Sequence, residues 1–150
     1  MLHKRACAVA LATGTIAVGA LGGTAVAQVP STANTTAAVT CVGTSFSGTL
    51  SVNRALCNGS YKLTMQDNGD LVLRDRHGRA CYASGSRAPG DAYASFHKNL
   101  VGVPYIDIIS KSQGRVGRIL GAHSTWDGSP NASLNNKGEF WVGYKKVGWC

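Results

Sequence analysis

Charge is scarce in this chain. Only 15% of its 150 residues are Asp, Glu, Lys or Arg, too few for a helical bundle or coiled coil, which use Lys, Glu and Arg generously. Acid is scarcer still. Asp and Glu number 7 against 15 Lys and Arg, a net charge of +8, and they are dispersed, so no glycosidase-like carboxylate pair stands out. Motifs of catalysis are missing as well: no G-x-S-x-G, H-E-x-x-H, P-loop or EF-hand spacing occurs. No two Cys form a C-x-x-C pair and no His lies at zinc-ligand spacing from them, so neither a metal nor another cofactor is expected. His77, His97 and His123, with Asp67, Asp91 and Ser124, supply the parts of a catalytic triad in a spacing that does not suggest one. The expectation is a protein that is not an enzyme.

What is present is apolar and rich in glycine: 44% hydrophobic residues and 19 Gly, with 7% aromatics. That is too apolar for a disordered chain, and the length suits one domain. Many glycines with few charges predict short strands and many turns, an all-β chain.

The N-terminus reads as an export signal. His3, Lys4 and Arg5 precede a run of small and apolar residues, and Ala25-Val26-Ala27 supplies a cleavage pattern, so residues 1–27 are expected to be a secretory signal peptide. Their apolar run is short for a bilayer span, and no later stretch approaches transmembrane length. The Ala-rich signal is compatible with a bacterial source. Residues 28–40, QVPSTANTTAAVT, are small and polar without periodicity and read as a flexible lead-in. The domain is then 41–150, in a secreted, extracellular protein.

Without Cys7 four cysteines remain, Cys41, Cys57, Cys81 and Cys150, and an even count in an exported chain predicts two disulfides. Three pairings are open. The reading favours Cys57–Cys81 within one structural unit and Cys41–Cys150 tying the ends of the domain. Asn34, Asn58 and Asn131 head N-x-S/T sequons.

The clearest local pattern lies at 60–75. Tyr61, Leu63 and Met65 alternate with Lys62, Thr64 and Gln66, the period of a half-buried strand. Asn68-Gly69 predicts a hairpin with a type I′ turn. Leu71 and Leu73 resume the alternation, and Arg79–Ser84 makes a third strand after a second Gly-containing turn. The grammar recurs in Tyr93–His97, Val103–Ile109 and Arg118–Ser124, then in Ala132–Asn135, Phe140–Val142 and Lys146–Trp149. A sheet with one apolar face is not stable alone, so three such units are expected to pack about one core.

Three stretches carry a resemblance. They are Phe46-Ser47-Gly48-Thr49-Leu50 followed by Tyr61–Gln66; Gln66-Asp67-Asn68-Gly69-Asp70-Leu71-Val72-Leu73-Arg74; and Gly78–Ser86, with Tyr82 where the pattern has Trp. They resemble the opening, the Q-x-D-x-N-x-V-x-Y stretch and the G-x-x-x-W-x-S-x-T strand of the bulb-type (monocot) mannose-binding lectins. The resemblance implies a β-prism II fold over 41–150, with residue detail confined to 46–86. It also implies a carbohydrate site at Gln66, Asn68, Asp70, Val72 and Arg74, which share a face by the two-residue period. The chain departs from the pattern in having Asn68 for Asp, Asp70 for Asn and Arg74 for Tyr. Arg74 adds a fork of donors, favouring an anionic ligand or an internal pair with Asp70. The second unit offers Lys98, Leu100 and Val103 with an extra residue in its turn; the third offers Asn135, Lys137, Glu139, Trp141 and Gly143. Neither keeps the motif.

Two further features remain. Arg74, Arg76, Arg79 and Arg87, with His77, form a basic cluster, either a solvated face or an attraction for an anionic polymer or acidic protein. Nucleic acid is not expected, since aromatics do not interleave with these cations. Trp141, Tyr144 and Trp149 are expected in the core and its closing strand rather than as a sugar platform. The reading is a secreted, non-enzymatic lectin-like module whose partner is a mannose-like or anionic glycan. The alternative is a protein–protein adaptor within a larger secreted assembly, such as an antibacterial toxin, whose tail adds as a strand to a partner's sheet.

Overall fold

The computed structural model describes residues 38–88, 90–123 and 130–150. The expected signal peptide and residues 28–37 of the lead-in lie outside the described residues.

Thirteen strands and no helix are described. They are β1 (Thr40–Gly43), β2 (Ser45–Phe46), β3 (Thr49–Leu50), β4 (Arg54–Asn58), β5 (Tyr61–Met65), β6 (Leu71–Arg74), β7 (Ala80–Ala83), β8 (Tyr93–Lys98), β9 (Pro104–Ser110), β10 (Gly114–Leu120), β11 (Ala132–Leu134), β12 (Glu139–Val142) and β13 (Lys145–Trp149). They form three sheets, in the orders β1-β4-β5-β6-β7, β10-β9-β8-β3 and β13-β12-β11-β2. The three expected units are there. The short strands β2 and β3 join this scheme non-locally, β2 completing the third sheet beside β11 and β3 the second beside β8.

The alternation read from 61–73 is the alternation of the core. Leu63, Met65, Leu71 and Leu73 are fully buried, and Leu50, Leu56, Phe96, Ile106, Ile108, Leu134, Phe140 and Val142 join them in one cluster drawn from all three sheets. Each such Leu or Phe contributes about 1.5–3 kcal/mol by leaving water. The units interlock where aromatic rings of the first sheet meet glycines of the third. A Cβ on Gly138 would lie 2.6 Å from the Tyr61 ring, and one on Gly148 would lie 2.6 Å from Tyr82.

Four hairpins turn the same way. Gly69, Gly78, Gly102 and Gly138 donate their N–H to the carbonyls of Gln66, Asp75, Asn99 and Asn135 three residues earlier, and each turn is closed by an N–H from its first residue to the fifth. Positive φ falls on the Gly alone, +82° at Gly69, while Asn68 is not among the residues with positive φ. The hairpin expected at Asn68-Gly69 is therefore present, but as a type I-like turn ending in a left-handed Gly and not as type I′.

Three expectations are corrected. The disulfides are Cys41–Cys57 and Cys81–Cys150, not Cys57–Cys81 and Cys41–Cys150. The reason is that β1 pairs with β4 in parallel, with Cys41 opposite Ala55, while β7 and β13 meet where the first and third sheets adjoin. The third strand of the second unit starts at Gly114 and ends at Leu120, earlier than 118–124. Its Gly117 is dictated by packing, since a Cβ would lie 2.6 Å from Ser86, and that glycine hides the strand period. Tyr144 and Trp149 are 50% and 61% exposed and Trp141 is half-buried, so Phe140 and Val142 fill the core from β12 instead.

Candidate functional site

The β5–β6 turn begins at Gln66, a position its counterparts fill with Asn99 and Asn135. Those two side chains serve the turn itself. Asn99 Oδ1 accepts from the N–H groups of Val101 and Val103 at 3.1 and 2.8 Å, and Asn135 Oδ1 accepts from Lys137 and Glu139, each at 3.0 Å. In the first unit Asn68 Oδ1 takes one of these two bonds, accepting from the Asp70 N–H at 3.1 Å. The Gln66 side chain has no hydrogen-bond partner among the described residues and is half-buried at the rim. An amide that can both donate and accept is thus left unengaged among the described residues.

The other residues of the sequence-derived set are placed differently. Asp70 is 5% exposed, and its Oδ1 accepts from Ser84 Oγ at 2.7 Å and from the Gly85 N–H at 2.9 Å. Ser84 Oγ in turn accepts from the Leu71 N–H at 2.9 Å and lies 2.7 Å from Ser86 Oγ, which donates to the Gly69 carbonyl at 3.1 Å. This chain of bonds ties the turn to the segment after β7. Val72 is 4% exposed and stands opposite Thr64. Arg74 Nη1 donates to the Gly78 carbonyl at 2.9 Å, bracing the β6–β7 turn and not pairing with Asp70. Gln66 and Asn68 sit at one end of the β5–β6 hairpin and Arg74 at the other.

The shared turn gives the correspondence between units. Gln66, Asn68, Asp70, Val72 and Arg74 match Asn99, Val101, Val103, Tyr105 and Asp107 in the second unit, so its turn has no extra residue and the match through Lys98 is one position out. In the third they match Asn135, Lys137, Glu139, Trp141 and Gly143.

The second and third faces carry ion pairs of their own. Arg118 Nε and Nη2 donate to both oxygens of Asp107 at 2.6 and 2.8 Å, and the Arg118 guanidinium lies 4.3 Å from the Tyr105 ring centre, whose ring stacks with His97 at 5.4 Å. The bonds from Arg118 hold the Asp107 carboxyl below the usual carboxylate range despite its burial. On β12, Glu139 accepts from Lys146 Nζ at 2.9 Å and from Asn135 Nδ2 at 2.7 Å, and these bonds lower its pKa in the same way.

No catalytic grouping of the three histidines is described. His77 Nε2 accepts from Arg76 Nε at 2.9 Å, Asp91 pairs with Lys111 at 3.6 Å, and Ser124 lies outside the described residues. Among the described residues no three His, Cys, Asp or Glu are grouped as metal ligands, and no helix is long and apolar enough to cross a membrane.

Comparison with known proteins gives the fold a name. No family model and no curated protein matches the chain. Among solved structures it is similar to a lectin of Polygonatum cyrtonema complexed with a monomannoside, at 22% identity and a TM-score of 0.51, over 71% of this chain and 91% of that one. It also aligns with the mannose-specific agglutinin of snowdrop (Galanthus nivalis) bulbs complexed with methyl-α-D-mannoside, at 21% identity and a TM-score of 0.48, over 68% and 87% of the two chains. What the likeness to the Polygonatum lectin shows is the fold: this all-β chain has the β-prism II architecture of the bulb-type lectins.

Proposed function

We propose that the protein is a secreted, non-enzymatic recognition module that binds a neutral, mannose-like glycan at the β5–β6 turn, using Gln66 and Asn68. The observation that carries this is the exchange of labour in that turn. In the other two units the first residue spends its side-chain oxygen on the backbone, whereas here Asn68 accepts from the fifth residue and the Gln66 amide is left unengaged. The Polygonatum lectin of the same fold is complexed with a monomannoside. Two disulfides fit an oxidising, extracellular setting. One turn of this kind predicts weak, monovalent binding, since avidity needs several sites.

The test is a glycan array and a calorimetric titration with mannose and oligomannose. Binding that Gln66→Ala removes is the expected result. Silence on all neutral glycans, or binding unchanged in Gln66→Ala, overturns the reading.

A second reading, an adaptor in a larger secreted assembly, is favoured by β1. All four of its residues are exposed at the edge of the first sheet, a place where the preceding chain or a partner strand can add by backbone hydrogen bonds. Co-purification from culture supernatant with and without residues 28–40 tests it; loss of a partner on deletion is expected.

A further inference from the structure

At the end of β5–β6 opposite Gln66, two hollows of about 580 and 540 Å³ adjoin. Gly59, Ser60, Tyr61, Asp75 and Arg76 line both, so they form one groove running around the Tyr61 ring. Its charge is one-sided. Lys62 and Arg74 line the first hollow, Arg79 the second and Arg76 both, with Asp75 the sole acidic side chain among these lining residues.

That carboxylate is already spent. Asp75 Oδ2 pairs with Arg79 Nη2 at 3.1 Å, and Oδ1 accepts from the N–H groups of His77 and Arg79 at 2.9 and 3.0 Å. Among the described residues, Lys62, Arg74 and Arg76 have no carboxylate partner. Arg76 bonds a His77 ring nitrogen and Arg74 a backbone carbonyl, and neither partner is an anion.

Two of these cations oppose each other at a cost. Lys62 and Arg74 are register partners on β5 and β6, and like charges directly opposite across strands destabilise a sheet. An anion bound between them would offset that repulsion. The walls are stiff. The groove is bordered by Cys41, Cys57 and Cys150, members of both disulfides, and Tyr61 is wedged against Gly138 of the third unit. A rigid site loses little entropy on binding.

We propose that this groove binds an acidic saccharide, a short run of sugars bearing carboxylate or sulfate groups. The cations would take the anionic groups and Tyr61 would lie beneath a ring. The volumes exceed what one inorganic anion fills and lie in the range of small-molecule sites. Cations on either side of an aromatic ring suit repeated charges on a carbohydrate chain. The groove stands apart from the Gln66 turn, since the four residues from Lys62 to Gln66 span roughly 13 Å of strand, so it does not rest on the mannose reading.

The experiment measures binding of the full exported chain to oligogalacturonate and to a heparin-derived tetrasaccharide, with a neutral oligosaccharide and inorganic sulfate as further probes. Two charge-matched variants decide it: Lys62→Ala with Arg76→Ala, and Lys111→Ala with Arg115→Ala on the second sheet. The groove variant is expected to lose about ten-fold or more in affinity, and the distant one less than about three-fold. Gln66→Ala should leave acidic binding intact, and thermal melts establish that each variant is folded. Oligogalacturonate carries carboxylates alone and the heparin fragment both groups, so comparing them shows whether sulfate is required. Equal losses in both charge-matched variants would reduce the effect to net charge and overturn the proposal. So would competition by inorganic sulfate at the concentration of the tetrasaccharide, or neutral sugar binding as tightly as acidic.

Discussion

The ring of Tyr82, on β7 of the first sheet, lies so close to Gly148 on β13 of the third that a Cβ on Gly148 would stand 2.6 Å from its Cγ. The same ring meets Phe140 at 5.8 Å between centres, the planes inclined at 59°. One aromatic side chain thus joins two sheets where Cys81–Cys150 also joins them. Gly148→Ala is expected to destabilise the fold by about 1–3 kcal/mol through overpacking. Adding Tyr82→Leu should recover part of that loss, as chemical denaturation of the single and double variants would show. Strict additivity would mean that the two residues do not share the contact.

Tyr82 also links stability to alkaline pH. Burial, and then the charge of Asp70, push its phenol up to about 12, from an ordinary value near 10. The folded state therefore holds this proton more tightly than the unfolded one. Its contribution is complete below about pH 10 and is lost as pH rises through about 12, by at most about 2–3 kcal/mol. Tyr82→Phe keeps the ring and removes the titration. Denaturant melts between pH 8 and 12 should fall more steeply for the parent chain than for this variant, and parallel curves would disprove the linkage.

The two disulfides should differ in weight. Cys81–Cys150 spans 69 residues and Cys41–Cys57 spans 16, so loop entropy assigns about 4 and about 3 kcal/mol to them. The fold widens the gap, because Cys41 anchors only β1, an exposed edge strand, which can detach without opening the core. Replacing Cys81 and Cys150 by Ser should lower the melting temperature clearly more than replacing Cys41 and Cys57. Peptide mapping without reduction should recover the Cys41–Cys57 link.

Asp70 and Gln66 belong to one sequence motif but should separate by experiment. Asp70→Ala strips a buried acceptor from Ser84 and Gly85 and is expected to cost about 1–3 kcal/mol of stability. Gln66→Ala removes a side chain with no described partner and should change stability by less than about 0.5 kcal/mol. If its loss instead matches that of Asp70→Ala, Gln66 is a structural residue and not a ligand group.

Much of this fold was legible in the residues because its signals are local. The alternation of Tyr61, Leu63 and Met65 gave β5, and the Gly-containing turns on either side of Leu71 and Leu73 gave the first unit's hairpins. The candidate site was legible only as a motif. Sequence placed Gln66, Asn68, Asp70, Val72 and Arg74 on one face by parity. It carried no signal that Asp70 would be claimed by Ser84 and Gly85, residues that return beside it only after β7 has paired with β6. Nor did it show that Lys62 stands opposite Arg74, which depends on the register of two strands.

By itself, then, the sequence determined the period of the strands, the places where they turn, and the all-β outcome, because each depends on neighbours a few bonds apart. Tertiary structure alone decided which cysteines meet, which aromatics face water, and which polar side chains remain free to meet a ligand. Those outcomes depend on distances between residues far apart in the chain, and such distances are fixed only when the three sheets close on one core.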